Sequence, residues 1–449
     1  MKKIFLLKQK LILFTIVILT FQSLGGPFTE SNVLNSLIVL KEPNINEKQD
    51  IINKIISNTE IGDLKTLNPI DKIIINNNND FLLYSSRGNG TKENPYIIEN
   101  FIFRTNASGT AIQISNTDKY FLLKNVEVDD WNIGISLFNV KNGMIENNTV
   151  SYSDWGIKLN RSSTISLVNN TVYIGKNYGI YLIESSNNNL ESNRVIFDHT
   201  IYGRRLFDYG LVLEDSPDNI IINTNMTSAG LWITGSYYTL RQLSFKNNSI
   251  LNRPIIFLQD ITNEIINSSA AQIILLNCSY IIIKNQNMRS VPVGIGIYYG
   301  FNSTIKNNQV SDSQYGLYIQ NTNNSLFKNN SITTFDLGSQ TIRNNGFYFL
   351  KSNQNIIENN TVQVQIYGFY FDHSYDSVVR KNSIKMLGIY NTVGYCFKST
   401  FSNNKFVNNK CDDPNHPEIG AILIKILIIV GIGGMVIVTI VVIRGIKHN

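Results

Sequence analysis

The sequence predicts an all-β fold: a right-handed parallel β-helix (solenoid) with a C-terminal transmembrane helix. Three observations predict the solenoid. A unit of about 20 to 23 residues recurs along the chain, and each unit holds short runs of alternating apolar residues, which are typical of strands. Gly or Asn clusters separate these runs and indicate turns. Helical patterns do not intervene between the runs, which argues against βαβ units.

The repeat has two recognisable halves. The first places an aromatic residue and Gly before a short strand, as in Tyr178-Gly179-Ile180-Tyr181-Leu182 and Tyr367-Gly368-Phe369-Tyr370-Phe371. The second reads Ile145-Glu146-Asn147-Asn148-Thr149-Val150 and, later, Ile357-Glu358-Asn359-Asn360-Thr361-Val362. One unit is too small to bury its own apolar side chains, so the units must stack as coils. We assign residues 71–412 to the solenoid.

The second Asn of each pair is expected to be structural. Equivalent positions in stacked coils lie about 4.8 Å apart, so each amide can donate to the carbonyl oxygen of the next. The predicted ladder comprises Asn148, Asn170, Asn248, Asn308, Asn330, Asn360 and Asn382. It would satisfy amides that are otherwise buried without partners.

Both ends of the chain carry apolar stretches. Residues 1–26, with four lysines before an uncharged run, predict a signal peptide; an uncleaved signal anchor is the alternative. Residues 426–443 are uncharged and rich in Ile and Val, and predict a transmembrane helix. Arg444 and Lys447 predict that the tail, 444–449, is cytoplasmic. Residues 413–425, before the apolar run, would form a juxtamembrane linker. The sequence therefore predicts a single-pass cell-membrane protein with an extracellular ectodomain.

Residues 27–70 form an N-terminal segment and cap in this interpretation. Ile51, Ile52, Ile55 and Ile56 have helical spacing, and a short amphipathic helix at 46–60 could cover the first coil. A membrane-binding or partner-binding helix is the alternative.

Charge and cysteine content narrow the function. The net charge of +6 comes from residues at the two ends, so the ectodomain is near neutral, and Arg204-Arg205 alone makes no nucleic-acid footprint. Cys278 follows an apolar run and predicts a buried thiol. A Cys396–Cys411 bridge could close the last coil. Asn-x-Ser/Thr triplets, including those at Asn147 and Asn359, permit surface glycosylation.

Two stretches carry a likeness to known families. Residues 80–100, with Gly88-Asn89-Gly90-Thr91 and Pro95-Tyr96-Ile97-Ile98, resemble archaeal β-helix repeat surface proteins. Residues 252–257 and 271–279 resemble the middle of NosD-like β-helix proteins. The resemblance implies the fold and leaves the activity open, since one fold hosts many activities.

The named NosD proteins are periplasmic and associated with copper delivery. This chain has four histidines, His199, His373, His416 and His448, and six methionines, without a cluster at metal-ligand spacing. We therefore predict neither a metal site nor a cofactor.

The position two residues after the coil Gly is often aromatic. Its members are Tyr181, Trp232, Tyr298, Tyr318, Tyr348 and Tyr370. If they point outward they form a stripe that could bind sugar rings. Stacking of the rings on each other is the alternative.

Catalysis on this fold would need clustered carboxylates, or a carboxylate beside a base. Asp372 and His373 are the least weak candidates; Asp129-Asp130, Asp198-His199 and Asp376 lie at other positions of the repeat, and Asp413-Pro414-Asn415-His416 lies in the linker. The leading hypothesis is a non-catalytic surface module that binds glycans or an envelope partner. A carbohydrate-active enzyme (polysaccharide lyase, hydrolase or epimerase type) is the alternative.

Overall fold

The computed structural model describes residues 72–197, 209–227, 229–334, 344–387, 395–400 and 403–412, with the backbone alone at 105–107, 423–430 and 436–443. The predicted signal peptide, N-terminal cap, linker 413–425 and tail lie wholly or mostly outside these ranges. The described residues form a parallel β-solenoid of about 12 turns, in two segments that meet at Leu251 and Asn252.

The first segment contains one short helix early in the chain and another near its end. These are α1 (Phe81–Tyr84) and α2 (Tyr237–Arg241). Its strands, in chain order, are β1 (Ile73–Ile75), β2 (Tyr96–Glu99), β3 (Ile102–Thr117), β4 (Phe121–Lys124), β5 (Glu127–Val140), β6 (Gly143–Glu146), β7 (Thr149–Asn160), β8 (Ser166–Val168), β9 (Thr171–Ile183), β10 (Asn189–Glu191), β11 (Arg194–Phe197), β12 (Tyr209–Glu214), β13 (Ile220–Ile222), β14 (Asn225–Thr227), β15 (Gly230–Thr234), β16 (Ser244–Lys246) and β17 (Ser249–Ile250).

The second segment repeats a three-strand coil. Its strands are β18 (Arg253–Gln259), β19 (Ile265–Ile266), β20 (Gln272–Leu276), β21 (Ile282–Lys284), β22 (Asn287–Arg289), β23 (Val293–Tyr298), β24 (Thr304–Lys306), β25 (Gln309–Ser313), β26 (Tyr315–Gln320), β27 (Leu326–Lys328), β28 (Ser331–Thr334), β29 (Asn345–Leu350), β30 (Ile356–Glu358), β31 (Thr361–Val364), β32 (Tyr367–Asp372), β33 (Val378–Arg380), β34 (Ser383–Met386), β35 (Tyr395–Thr400), β36 (Lys405–Val407) and β37 (Lys410–Asp412).

Each coil has three faces, which we number in chain order from the coil Gly. Face 1 follows that Gly and includes β12, β15, β23, β26, β29 and β32, together with the second halves of β5, β7 and β9. Face 2 is a seven-stranded parallel sheet in each segment, β2 to β16 and β19 to β36. Face 3 completes the coil through β11, β14 and β17 and, later, β22 to β37.

The core consists of columns of inward side chains. Ile135, Ile157, Ile180 and Leu211 are register partners in successive coils and are at most 1% exposed. In the second segment the Phe347 and Phe369 ring centroids lie 4.8 Å apart, the spacing of neighbouring strands. Each coil therefore buries its apolar side chains against its neighbours, as the repeat predicts.

The coil glycine is required by close packing between coils. A Cβ at Gly156 would lie 2.4 Å from the carbonyl oxygen of Gly179, and one at Gly316 would lie 2.6 Å from that of Gly346. Any larger residue would push successive coils apart at the corner that leads into face 1.

The predicted Asn ladder is present in both segments. The Nδ2 of Asn148 donates to the Oδ1 of Asn170 at 3.0 Å, and Asn330 donates to Asn360 at 3.0 Å. Each Nδ2 also donates to a carbonyl of the preceding coil, such as that of Ile305 for Asn330. The ladder residues are 0 to 4% exposed, so every one of these amides would be costly to leave unpaired.

A second ladder of hydroxyls lies at the corner between faces 1 and 2. The backbone N–H of Ser162 donates to the Oγ of Ser185 at 3.0 Å, and that of Ser185 donates to Ser216 at 3.1 Å. Thr322 and Ser352 repeat this bond in the second segment at 3.0 Å. The sequence analysis missed this ladder because isolated serines give no signal as clear as Asn-Asn.

The solenoid reverses direction where the two segments meet. Leu251 and Asn252 have φ of 49° and 60°, as in a type I′ hairpin turn. β17 and β18 then pair antiparallel through Ser249–Pro254 and Ile250–Arg253. The second segment therefore begins a new stack instead of extending the first, an interruption that the periodicity did not predict.

The outer side of the second segment covers the open end of the first. Ile273 and Leu275 of β20 point into the second core, whereas Ile274 and Leu276 pack into the first. The Gln272 side chain accepts from the Leu231 N–H at 2.9 Å and donates to the Leu231 carbonyl at 2.6 Å. The Gln272 side-chain amide thus makes the two hydrogen bonds that a further strand would make to the backbone of β15 at Leu231.

The predicted transmembrane helix over 426–443 is not confirmed. Strands β38 (Leu423–Val430) and β39 (Val436–Ile443) pair antiparallel where the sequence predicts a helix over 426–443. Ile and Val are β-branched and favour extended backbone. Among the described residues, no helix combines the length and apolar character required to cross a membrane.

The cysteine predictions are confirmed. Cys396 and Cys411 form a disulfide with Cα atoms 6.0 Å apart, which ties face 1 to face 3 in the last described coil. Cys278 is a buried free thiol.

The ladder can be tested with adjacent asparagines. Asn308→Ala removes two donated bonds and the acceptor for the Gln286 N–H, so we expect a loss of roughly 1 to 3 kcal/mol for each group left unpaired. Asn307→Gly, at the exposed corner with φ of 55°, should change stability little because Gly adopts this conformation readily. Urea unfolding followed by circular dichroism would measure both midpoints; equal midpoints would contradict the ladder's role.

Candidate functional site

The outward side chains of face 1 form one continuous aromatic surface, which we call the aromatic face. Two columns contribute, one before the coil Gly and one two residues after it. The members are Trp155, Tyr178, Tyr181, Tyr209, Trp232, Tyr315, Tyr318, Tyr348, Tyr367 and Tyr370.

The rings of the aromatic face contact one another from coil to coil. Ring centroids lie 4.6 Å apart for Trp155–Tyr178 and 5.4 Å for Tyr178–Tyr209. The series crosses the meeting point of the segments, because Trp232 stacks on Tyr315 at 5.4 Å. Such contacts add stability beyond the burial of area.

Burial of these rings corrects the predicted exposed stripe. Tyr181 is 8%, Tyr318 6% and Tyr370 7% exposed, and only Trp232 and Tyr348 of the predicted set are half-buried. The alternative of mutual stacking therefore describes most of the predicted rings. The cause is the spacing between neighbouring strands. Rings on neighbouring strands are close enough to stack on one another, so little of each ring face is open to solvent.

Tyr298 does not belong to the aromatic face. Gly294 is the coil Gly of its strand, because β23 pairs with β26 through Val293–Tyr315 and Gly296–Tyr318. Tyr298 is 2% exposed, and its hydroxyl donates to the Ile233 carbonyl at 3.1 Å. Its ring lies against Gly296 of the same strand. Because its hydroxyl bonds to the first segment, Tyr298 joins the two segments and is not part of a surface open to ligands.

Carboxylates lie at the edge of the aromatic face in both segments. The Tyr181 hydroxyl donates to Glu214, and the Tyr348 hydroxyl donates to Asp372 at 3.0 Å. The Tyr209 hydroxyl is hydrogen-bonded to Gln314 across the segments. Burial and the neighbouring carboxylates raise the pKa of both Tyr181 and Tyr348, so these hydroxyls remain protonated donors.

A lysine lies over the rings at each end of the face. Lys158 Nζ is 4.4 Å from the Trp155 ring centroid, and Lys398 Nζ is 4.6 Å from those of Tyr367 and Tyr370. These are cation–π distances. The face thus presents rings, hydroxyls, carboxylates and ammonium groups together.

Asp372 is held as a carboxylate. Burial alone would raise its pKa, but hydrogen bonds from His373, Tyr348 and Thr400 outweigh burial, and the pKa lies below its ordinary value. A general acid needs the opposite shift. Asp129 has a raised pKa, because of burial and the charge of Asp130, but it lies on face 3 of the other segment. Asp129 and Asp372 therefore lie on different faces, whereas the Asp372 carboxylate and the His373 ring are hydrogen-bonded at 2.8 Å.

The remaining candidates are not assembled into a site. Asp376 is an exposed turn residue with φ of 55°. Asp198-His199, Arg204-Arg205 and Asp413 to His416 lie outside the described residues. Glu214, Gln314 and the aromatic column before the coil Gly were missed, although the aromatic-Gly pairs are visible in the repeat; without the register their shared face is not.

Two sequence families match the chain. The model for the periplasmic copper-binding protein NosD matches residues 35–203 and 87–260, and that for the right-handed β-helix region matches 271–424. The chain belongs to the NosD-like right-handed β-helix family. The right-handed β-helix of this family agrees with the predicted fold. The family is also consistent with an extracellular or periplasmic domain.

The described side chains of this NosD-like protein do not assemble a set of copper ligands. Within the described residues, no three His, Cys, Asp or Glu side chains come together as ligands could. Met226, Met288 and Met386 are buried in the core. Burial raises the pKa of the Cys278 thiol, and Cys396 and Cys411 are bonded to each other.

Solved structures match the chain at low identity and low TM-score. A surface adhesin of Streptococcus pneumoniae is 10% identical, with a TM-score of 0.25 and coverage of 77% of this chain and 90% of the adhesin. An alginate lyase in complex with a trisaccharide is 11% identical, with a TM-score of 0.33 and coverage of 84% and 93%. The receptor-binding domain of a siphovirus tailspike is 10% identical, with a TM-score of 0.34 and coverage of 76% of each chain. Curated proteins gave no match.

Burial of the rings predicts their contribution to stability. Tyr318→Ala removes a ring that contacts Trp232, Tyr298, Tyr315 and Tyr348, so we expect a loss of roughly 3 to 5 kcal/mol, as for other buried aromatics. Tyr238→Ala removes a ring that is 78% exposed and should cost little. Thermal unfolding would compare them; an unchanged melting temperature for Tyr318→Ala would show that its ring does not support the coils.

Proposed function

We propose that the protein is a membrane-anchored cell-surface β-helix whose aromatic face binds glycans without catalysis. The observation that supports this proposal most is the combination of half-buried rings with carboxylates on one face. Trp155, Tyr178 and Tyr367 keep part of their rings accessible, and Glu214 and Asp372 lie within the same surface. Apolar ring surface with a few fixed polar groups is the usual composition of a ligand site.

Carboxylates and tyrosine hydroxyls suit the hydroxyl groups of sugars. Asp372 is charged and already oriented by the Tyr348 hydroxyl and Thr400, and bonds to a charged acceptor are stronger than neutral ones. The rings offer apolar contact to the C–H faces of a pyranose. Because the face extends over many coils, a polymer could contact several of them at once.

Glycan binding can be tested with half-buried rings and matched exposed rings. We expect the full-length protein in detergent to be retained on one or more members of a polysaccharide panel. Trp155→Ala with Tyr367→Ala should weaken that retention roughly tenfold, about 1.4 kcal/mol. Tyr238→Ala and Tyr280→Ala, exposed rings outside the face, should not change it.

The same panel separates binding from catalysis. Each polysaccharide would also be examined for cleavage or epimerised products. Products that disappear in Asp372→Asn would support the carbohydrate-active alternative, and loss of retention in the Tyr280 control would place the binding surface elsewhere.

The membrane anchor rests on the uncharged run 426–443 with Lys425, Arg444 and Lys447 beside it. We expect protease treatment of intact cells to remove the ectodomain and spare a C-terminal tag. Deleting 426–443 should release the protein from membranes into the medium. A digested tag with a protected ectodomain would reverse the proposed orientation.

A further inference from the structure

A column of exposed asparagines lies at the corner between faces 2 and 3. These are the first residues of the Asn-Asn pairs: Asn147, Asn169, Asn247, Asn307, Asn329, Asn359 and Asn408. Each has φ between 51° and 56° and an exposed side chain. The corner fixes the backbone through bonds such as that from the Asn147 N–H to the Val168 carbonyl at 3.0 Å.

Five members of this column begin an Asn-x-Ser/Thr triplet, whereas two do not. Thr149, Thr171, Ser249, Ser331 and Thr361 supply the hydroxyl residue, while Gln309 and Lys410 stand at the same position after Asn307 and Asn408. The residue between is the buried ladder Asn, whose amide is committed to the core. In each of the five Asn-Asn pairs with a triplet, the exposed first Asn begins the triplet, so its amide is the one that an enzyme can reach.

We propose that Asn147, Asn169, Asn247, Asn329 and Asn359 are acceptors for N-linked glycans, and that members on adjacent coils exclude one another. In the transfer, the Asn Nδ2 forms a bond to the anomeric carbon of a polyprenyl-phosphate-linked oligosaccharide. The bond from that carbon to the phosphate oxygen breaks, the polyprenyl phosphate leaves with the electron pair, and the amide proton passes to a base of the transferase.

Exclusion follows from the stacking. Asn147 and Asn169 each come directly after a residue that pairs with its counterpart in the adjacent coil, and so do Asn329 and Asn359. The two acceptors on such adjacent coils therefore lie about one strand spacing apart, roughly 4.8 Å. Asn329 Nδ2 contacts Asn307 Oδ1 at 3.3 Å, which shows directly how close neighbouring corner amides are. Two branched glycans cannot leave from amides at this separation. One glycan is expected on each pair, and Asn247, with Ser192 and Asn223 on the two coils before it, is expected to be modified independently.

The position of the column preserves the aromatic face. The acceptors lie at the corner between faces 2 and 3, whereas the rings lie on face 1. Glycans on these acceptors would therefore lie along one corner of the solenoid and leave face 1 open to a ligand.

The test uses the full-length protein purified from the cells that make it. Trypsin separates the members, because Lys158 and Arg161 lie between Asn147 and Asn169, and Lys351 lies between Asn329 and Asn359. Mass spectrometry of the peptides would give the occupancy of each Asn. We expect modification at Asn247, a combined occupancy near one for each adjacent pair, and unmodified Asn307 and Asn408.

Substitutions at the hydroxyl position change the acceptor without altering the corner. Thr171→Val should abolish modification of Asn169 and raise the occupancy of Asn147, whereas Thr171→Ser should change neither. Gln309→Thr creates a triplet at Asn307, so we expect Asn307 to become modified while Asn329 loses occupancy. Circular dichroism would verify that each variant is folded.

Two results would overturn the proposal. Unmodified amides at all five positions would refute the acceptor column. Full modification of both Asn147 and Asn169 on the same molecule, seen in the mass of the intact protein, would refute exclusion between adjacent coils.

Discussion

The spacing between neighbouring strands, about 4.8 Å, constrains the whole molecule. Each coil lies one spacing from the next, so the nearest neighbour of most side chains is the equivalent residue in the next coil. Apolar positions become columns such as Phe347–Phe369, amides become ladders such as Asn330–Asn360, and outward rings become the aromatic face. A residue type is tolerated where it can contact a copy of itself, which explains the narrow choice at each repeat position.

The same constraint explains how much of the fold the sequence could predict. The ladder asparagines and inward strands follow from periodicity alone, because a position that must pair with its copy is repeated in the sequence. The meeting of the two segments does not repeat. Gln272, Ile274 and Leu276 cover the end of the first stack, and a single Gln in an apolar strand carries no periodic signal. Leu251 is likewise an unusual residue for a left-handed turn, so the reversal could not be anticipated from composition.

The candidate site was predicted in part for a related reason. The aromatic column after the coil Gly is visible in the sequence, but its exposure is not, because burial depends on what neighbouring coils place beside each ring. Tyr318 is covered by rings from its own coil and from three others, in both segments. Trp155 and Tyr367 stay half-buried near the ends of the series. Tyr298 was placed wrongly because two glycines occur in its strand, and only the pairing of Val293 with Tyr315 decides which begins the coil.

Stacking also determines where this solenoid can diversify. Inward positions and ladder corners contact their copies and are constrained, and a buried amide without a partner would cost about 1 to 3 kcal/mol. The exposed corner and the two ends of the aromatic face contact solvent on one side, so their residues vary between coils: Gln309 stands where Thr149 and Thr361 do, and Lys158 and Lys398 stand where Tyr181 does. Variation at these positions leaves the core unchanged. Recognition and modification are therefore expected at positions where one coil differs from the next, and stability at positions where all coils agree.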